Sequence, residues 1–97
     1  MYARGIRIQG RYGTVFFLPN GLGTSRLGVA ATRKLGNAVE RNRAKRLIRE
    51  VFRRSKSASG TDIVVVPRRE LLDASLTALE ADYRATAERY ARPRKNR

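Results

Sequence analysis

The chain has 97 residues, 41% of them hydrophobic, enough for one compact domain with a modest core and too few for two. It carries 22 lysines and arginines against 8 aspartates and glutamates, a net charge of +14, and so large an excess of one sign costs self-repulsion and points to a polyanionic partner. Cysteine and histidine are absent, which excludes a disulfide framework, thiolate metal sites and the usual nucleophile and base pairs, and no apolar run reaches the length of a membrane span.

Residues 1–11 form a basic lead punctuated by Gly5 and Gly10, where Ile6 and Ile8 alternate with Arg7 and Gln9 and predict a short edge strand. Residues 12–18 are rich in aromatic and β-branched side chains and are closed by Pro19, Asn20, Gly21 and Gly23, the pattern of a strand ending in turn chemistry. Its parity sets Tyr12, Thr14, Phe16 and Leu18 on one face and Val15 and Phe17 on the other. With apolar bulk on both, each face is expected to be covered, by protein or by ligand. Residues 26–31 (RLGVAA) make a further strand, and the short glycine-containing loop between the two favours an antiparallel hairpin. Gly28, Ala30 and Ala31 leave room for close approach from above, or simply fit beneath a helix.

Arg33 and Lys34 then sit in a loop leading to a helix. Asn37 is a good N-cap, and Glu40 three positions on completes a capping-box pattern while placing negative charge where the helix dipole favours it. Over residues 38–53, Ala44, Leu47, Ile48 and Val51, with Phe52 at the margin, recur at i, i+3, i+4, i+7 and i+8 and form a packing face. Asn42, Lys45, Arg46, Arg49 and Arg53 fall opposite as a cationic rail, with Arg41 and Arg43 flanking it. Glu50 is placed to pair with Arg46 one turn back. Val39 does not fit the apolar stripe, so the first turn is expected to pack separately. A merely solvated face would interleave acids with bases, whereas arginine dominates here, and its planar fork suits phosphate and exposed bases.

Residues 54–60 (RSKSASG) read as a polar loop. DIVVV at 62–66, stopped by Pro67, reads as a strand buried on both faces and often parallel to its neighbour, so strand, helix and strand form a βαβ unit, with Arg68 and Arg69 at its end beside a groove over the sheet. Leu72, Leu76, Leu79, Tyr83, Ala87 and Tyr90 recur at helical spacing and predict a second helix over 73–91, capped by Asp73. Glu80 with Arg84 and Glu88 with Arg92 give its outer side the ordinary solvated pattern, and Tyr83 and Tyr90 read as core-edge residues. Residues 92–97 (RPRKNR) read as a disordered cationic tail, leaving a single domain over 1–91.

The 8 carboxylates are scattered as caps and helix partners, no metal-ligand cluster stands out, and no glycine pattern has the spacing of a phosphate loop. Asp62, the one acid at a strand start, suits a turn or capping role. From the residues alone the chain is a binding module for RNA or DNA that works through phosphates first.

The run RLGVAATRKLGNAVERNRAKRLIREVF resembles the signature of the bacterial ribonuclease P protein subunit, whose hallmark Arg-Asn-Arg motif is here Arg41, Asn42 and Arg43, continued by Lys45, Arg46 and Arg49. The likeness extends upstream through residues 15–18 and downstream through DIVVVPR to the last helix. It implies an α+β fold, a mixed sheet of three to four strands packed against two main helices, with a left-handed βαβ crossover where right-handed is the default. It further implies an accessory protein subunit of a ribonucleoprotein endonuclease in which RNA, with Mg²⁺, removes the 5′ leader of precursor tRNA. The protein itself is then non-catalytic, binds no metal or cofactor of its own, is cytoplasmic, and is a monomer in the holoenzyme. The resemblance assigns Arg41, Asn42, Arg43, Lys45, Arg46 and Arg49 to the catalytic RNA, and Arg53 continues that rail. It assigns Phe16 to the floor of a leader cleft and Arg33, Lys34 and Arg68 to its rim. Tyr12 joins Phe16 there by strand parity, and an aromatic floor with a basic rim suits a single strand held without sequence preference. Family members begin with a further helix carrying an aromatic pair; Tyr2 corresponds to the second of that pair, and the first has no counterpart. The alternative is a general RNA-binding or ribosomal-type protein of the same fold with no role in tRNA maturation.

Overall fold

The computed structural model describes residues 5–55 and 60–91. Tyr2, Arg92 and the expected 92–97 tail lie outside the described residues. Strands β1 (Ile6–Gln9), β2 (Gly13–Pro19) and β3 (Arg26–Val29) are followed by helix α1 (Ala38–Arg54), strand β4 (Thr61–Pro67), a 3₁₀ segment (Arg69–Asp73) and helix α2 (Leu76–Ala91). The fold is α+β, with one mixed four-stranded sheet in the order β1-β2-β4-β3.

The expected hairpin of β2 with β3 does not form. β4 lies between them, antiparallel to β2 with Gly13 opposite Pro67 and Pro19 opposite Thr61, and parallel to β3 with Arg26 opposite Asp62. The glycine-rich loop after Pro19 has to step over the width of one strand, and β4, with its β-branched run Ile63 to Val66, takes the centre. Its Thr61, Ile63, Val65 and Pro67 are fully buried while Asp62, Val64 and Val66 are half-buried, so the expectation of complete burial on both faces holds for one face only.

That buried face carries the core. Ile8, Val15, Phe17, Ile63 and Val65 from the sheet meet Ala44, Ile48 and Val51 of α1, Leu71 and Leu72 of the 3₁₀ segment, and Leu79 and Tyr83 of α2. Phe17 stacks on Tyr90 at 4.4 Å between ring centres, which seats the last turns of α2 on β2. At the other end of this packing, Gly10 lets α2 come close, since a methyl there would lie 2.7 Å from Asp82 Oδ2. The same carboxylate accepts the N–H groups of Arg11 and Tyr12 and ties the β1–β2 turn to the helix.

Three local expectations change. α2 starts after Ser75, whose hydroxyl accepts the N–H of Ala78, because Asp73 is already part of the 3₁₀ segment. Glu80 reaches Arg54 of α1 at 3.3 Å instead of Arg84, an interhelical pair in place of an intrahelical one. Tyr12 departs from strand parity because β2 begins only at Gly13; its ring packs against the core, lining a small apolar cavity with Val15, Leu27, Val51 and Val65, away from the face of Phe16.

One polar cluster closes the far end of the sheet. Asp62 accepts both Nε and Nη2 of Arg26, at 2.9 and 2.8 Å, and the Asn20 amide at 2.8 Å. These hydrogen bonds, Arg26 first and Asn20 second, hold the Asp62 carboxyl at about 2. A carboxyl depressed in the folded state stabilises the fold above its unfolded pKa of about 3.9 and loses that contribution as pH falls toward 2. Asp62→Asn is therefore expected to lower the urea midpoint at pH 6 and to lose most of that difference by pH 2; a pH-independent difference would refute the linkage.

Candidate RNA interface

α1 is built for two tasks on opposite sides. The capping box forms as the sequence requires, with Glu40 N–H donating to Asn37 Oδ1 at 2.9 Å and Asn37 N–H to Glu40 Oε1 at 3.0 Å. Gly36, at φ +153°, precedes it, and a Cβ there would overlap the Glu40 carboxylate, so the close return of that side chain requires glycine. Ala44, Ile48 and Val51 are buried while Leu47 and Phe52 are half-buried, which is the packing face read from the sequence.

On the opposite face Asn42, Arg43, Arg46 and Arg49 are exposed and Lys45 is half-buried. None of the five forms a hydrogen bond or ion pair among the described residues. The other cations of the helix are engaged. Arg41 donates Nη1 to the Gly36 carbonyl at 2.8 Å, and Arg53 and Arg54 both pair with Glu50. Glu50 thus serves the last turn and not Arg46, and its two arginines hold its carboxyl below the usual range, Arg53 first. Pairing partners three and four residues ahead lie at the C-terminal end, where cations also meet the helix dipole favourably. The consequence is a zoned surface. Charge is compensated at the end of α1 and left uncompensated over the stretch from Asn42 to Arg49. Ion pairing within the helix does not account for that arrangement.

The second surface is the half-buried side of the sheet. Register aligns Thr14, Phe16 and Leu18 of β2 with Val66, Val64 and Asp62 of β4, with Gln9 and Arg7 of β1 on one flank and Gly28 and Arg26 of β3 on the other. Phe16 lies opposite Val64 and Arg7, and the absence of a side chain at Gly28 keeps this side of the sheet low toward β3.

The turn after β3 and the start of α1 come together at the end of β4. Arg33 and Lys34 are exposed in the turn after β3, held by Leu35 N–H to the Thr32 carbonyl and by the burial of Leu35. Arg69 fastens that turn to α1, donating to the Leu35 carbonyl at 2.5 Å and lying 3.6 Å from the Glu40 carboxylate. Arg68 stands at the end of β4 with its guanidinium turned onto main chain, Nη1 donating to the Gly10 and Arg11 carbonyls at 2.6 and 3.0 Å. It is a staple of the β1–β2 turn in addition to any part on the rim. No sequence signal marks these two staples, because their acceptors are carbonyls remote in the chain. The Arg26 and Asp62 pair did leave a signal, opposite charges at the starts of two strands.

The sequence model of the family described as Ribonuclease P matches residues 1–91. The chain belongs to the ribonuclease P protein family. It is 47% identical over 73 residues to the ribonuclease P protein component of Thermotoga petrophila, which takes in 73% of this chain and 62% of that relative's length. With the RNase P protein from Thermotoga maritima it superposes at a TM-score of 0.81 with 36% identity, covering 91% of this chain and 86% of the other. For the RNase P protein of Staphylococcus aureus the TM-score is 0.77 and the identity 30%, over 92% and 84% of the two chains. The family's Arg-Asn-Arg motif thus begins with an arginine folded back onto Gly36 and continues into the uncompensated side chains of α1.

Proposed function

We propose that this chain is the accessory protein subunit of a ribonuclease P ribonucleoprotein, in which RNA removes the 5′ leader from precursor tRNA and the protein holds RNA in place. The observation that supports this most is the set of uncompensated polar and cationic side chains, Asn42, Arg43, Lys45, Arg46 and Arg49, on one face of a helix whose other cations are all engaged. In this reading they bind phosphates of the catalytic RNA, while Arg41 fixes the approach to the helix and Arg53 contributes less, being tied to Glu50. In this reading the leader of precursor tRNA lies along Phe16 on the half-buried sheet face, with Arg33 and Lys34 and the remaining donors of Arg68 at its rim.

Among the described residues no three acidic side chains gather into a metal site. By the family resemblance we assign Mg²⁺ to the RNA of the holoenzyme, where it would supply the metal-assisted hydrolysis. No helix among the described residues is long and apolar enough to cross a membrane, and we place the protein in the cytoplasm as a monomer within the holoenzyme.

The test is reconstitution. The purified protein alone is expected to leave precursor tRNA intact, and its addition to the ribonuclease P RNA of the same source to restore cleavage at low Mg²⁺. A general RNA-binding protein would instead bind unrelated structured RNAs equally well without rescuing cleavage, and that outcome would sink the proposal.

A further inference from the structure

Val39 is an apolar side chain in the wrong place for a folding role. It is 74% exposed, and among the described residues only Leu22 joins it as a large hydrophobic residue left in the open. The sequence leads one to expect the first turn of α1 to pack by itself, and the structure shows that it does not pack at Val39. At 3.6 residues per turn Val39 lies about 20° around the helix from Arg46 and about 40° from Arg43, but roughly 140° to 180° from Ala44 and Ile48. It therefore points away from the core, inside the strip of uncompensated cations. A single exposed valine on an ordinary surface needs no explanation. This one has Asn42 and Arg43 one turn on and Arg46 two turns on, all exposed, and a polyanion seated on those groups must cover it.

We infer that Val39 is an apolar contact of the RNA interface, packing on a ribose or nucleobase face of the catalytic RNA while Arg43 and Arg46 hold the flanking phosphates. This rests on the function proposed above and extends it. Charge complementarity selects the occupant, since a chain of net charge +14 with unpaired cations beside the valine would repel a second copy of itself at this face. The valine differs in kind from the groups around it. Phosphate contacts release counterions and weaken with salt, whereas burial of an apolar side chain does not.

That difference gives the experiment. Affinity for the ribonuclease P RNA of the same source is measured over a range of salt concentrations for the unaltered protein and for Val39→Ala, Val39→Thr and Arg46→Ala. Removing the methyl groups, or exchanging one for a hydroxyl at constant shape, is expected to weaken binding roughly three- to tenfold at every salt concentration, with the slope of log affinity against log salt unchanged. Arg46→Ala is expected to reduce that slope by about 0.7 to 0.9. Neither valine variant touches the core, so melting temperatures verify that both remain folded. Unaltered affinity in both valine variants would overturn the inference, as would a loss accompanied by a reduced slope. So would a change in self-association of the free protein with RNA affinity intact, which would assign the face to a second copy. If the unaltered protein itself fails to bind this RNA, the proposed function falls and this inference with it, a result distinct from all of these.

Discussion

Replacing Arg46 and Arg49 together with alanine is expected to weaken assembly with the catalytic RNA by at least about a hundredfold while leaving the fold intact. Each side chain is exposed on the middle turns of α1 and has no hydrogen-bond or ion-pair partner among the described residues, so its removal leaves no buried group unsatisfied. Alanine is also the better helix former. A charge-assisted hydrogen bond to phosphate contributes about 1.5 to 3 kcal/mol, and the loss of two such bonds amounts to a factor of that size. The salt slope of binding is expected to fall by about 1.4 to 1.8, the sum for two phosphates. Arg53→Ala is the internal comparison. Its guanidinium is already paired with Glu50, so its loss should cost much less. An unchanged assembly constant for the double variant, measured by equilibrium binding at several salt concentrations, would remove the rail from the interface.

The second large effect separates two adjacent phenylalanines. Phe17 is 2% exposed and stacked on Tyr90, and truncating it to alanine opens a cavity between β2 and α2. A loss of about 3 to 5 kcal/mol is expected. That is a large part of the roughly 5 to 15 kcal/mol that holds a domain of this kind together, and thermal unfolding would show it as a fall of tens of degrees or as failure to fold. Phe16 is only half-buried, one pleat away on the other side. Phe16→Ala is expected to cost much less stability and to weaken binding of precursor tRNA relative to mature tRNA, by about 1 to 3 kcal/mol if one base of the leader stacks on the ring. Equal stability losses at the two positions would contradict the two-sided reading of β2.

The contrast between those neighbours was legible in the sequence because strand parity is local and has a period of two. The same is true of α1, whose cap, packing stripe and rail all follow from residues within four positions of one another. Pairing between distant segments was not legible. Nothing in residues 19–25 reveals that β4 will part β2 from β3, since a glycine-rich loop is as compatible with stepping over a strand as with turning back directly. Strand parity misled at Tyr12 because the position of the first paired residue depends on β4, whose Pro67 faces Gly13. Charge partners failed for a related reason. Glu50 had arginines before and after it, and Glu80 chose one on another helix, so spacing alone left the choice open. At the candidate site the cationic face could be read from helical periodicity, while Arg68 and Arg69 as fasteners could not, because a main-chain carbonyl leaves no trace in a sequence.

The placement of β4 bears on how the molecule comes to be folded at all. As a chain is synthesised, β2 and β3 emerge well before the strand that joins them, and until residues 61–67 follow, each presents an unsatisfied hydrogen-bonding edge toward the gap between them. The sheet closes only through pairings remote along the chain, such as Gly13 with Pro67, so formation of the native state is governed by loop closure and should be slow for a domain of this size. Open strand edges in that interval invite pairing with other nascent chains. Residues 1–60 already carry 14 lysines and arginines against 2 glutamates, a net +12, and the mutual repulsion of such chains opposes these encounters, so the surplus that suits a nucleic-acid partner also keeps unfinished copies apart.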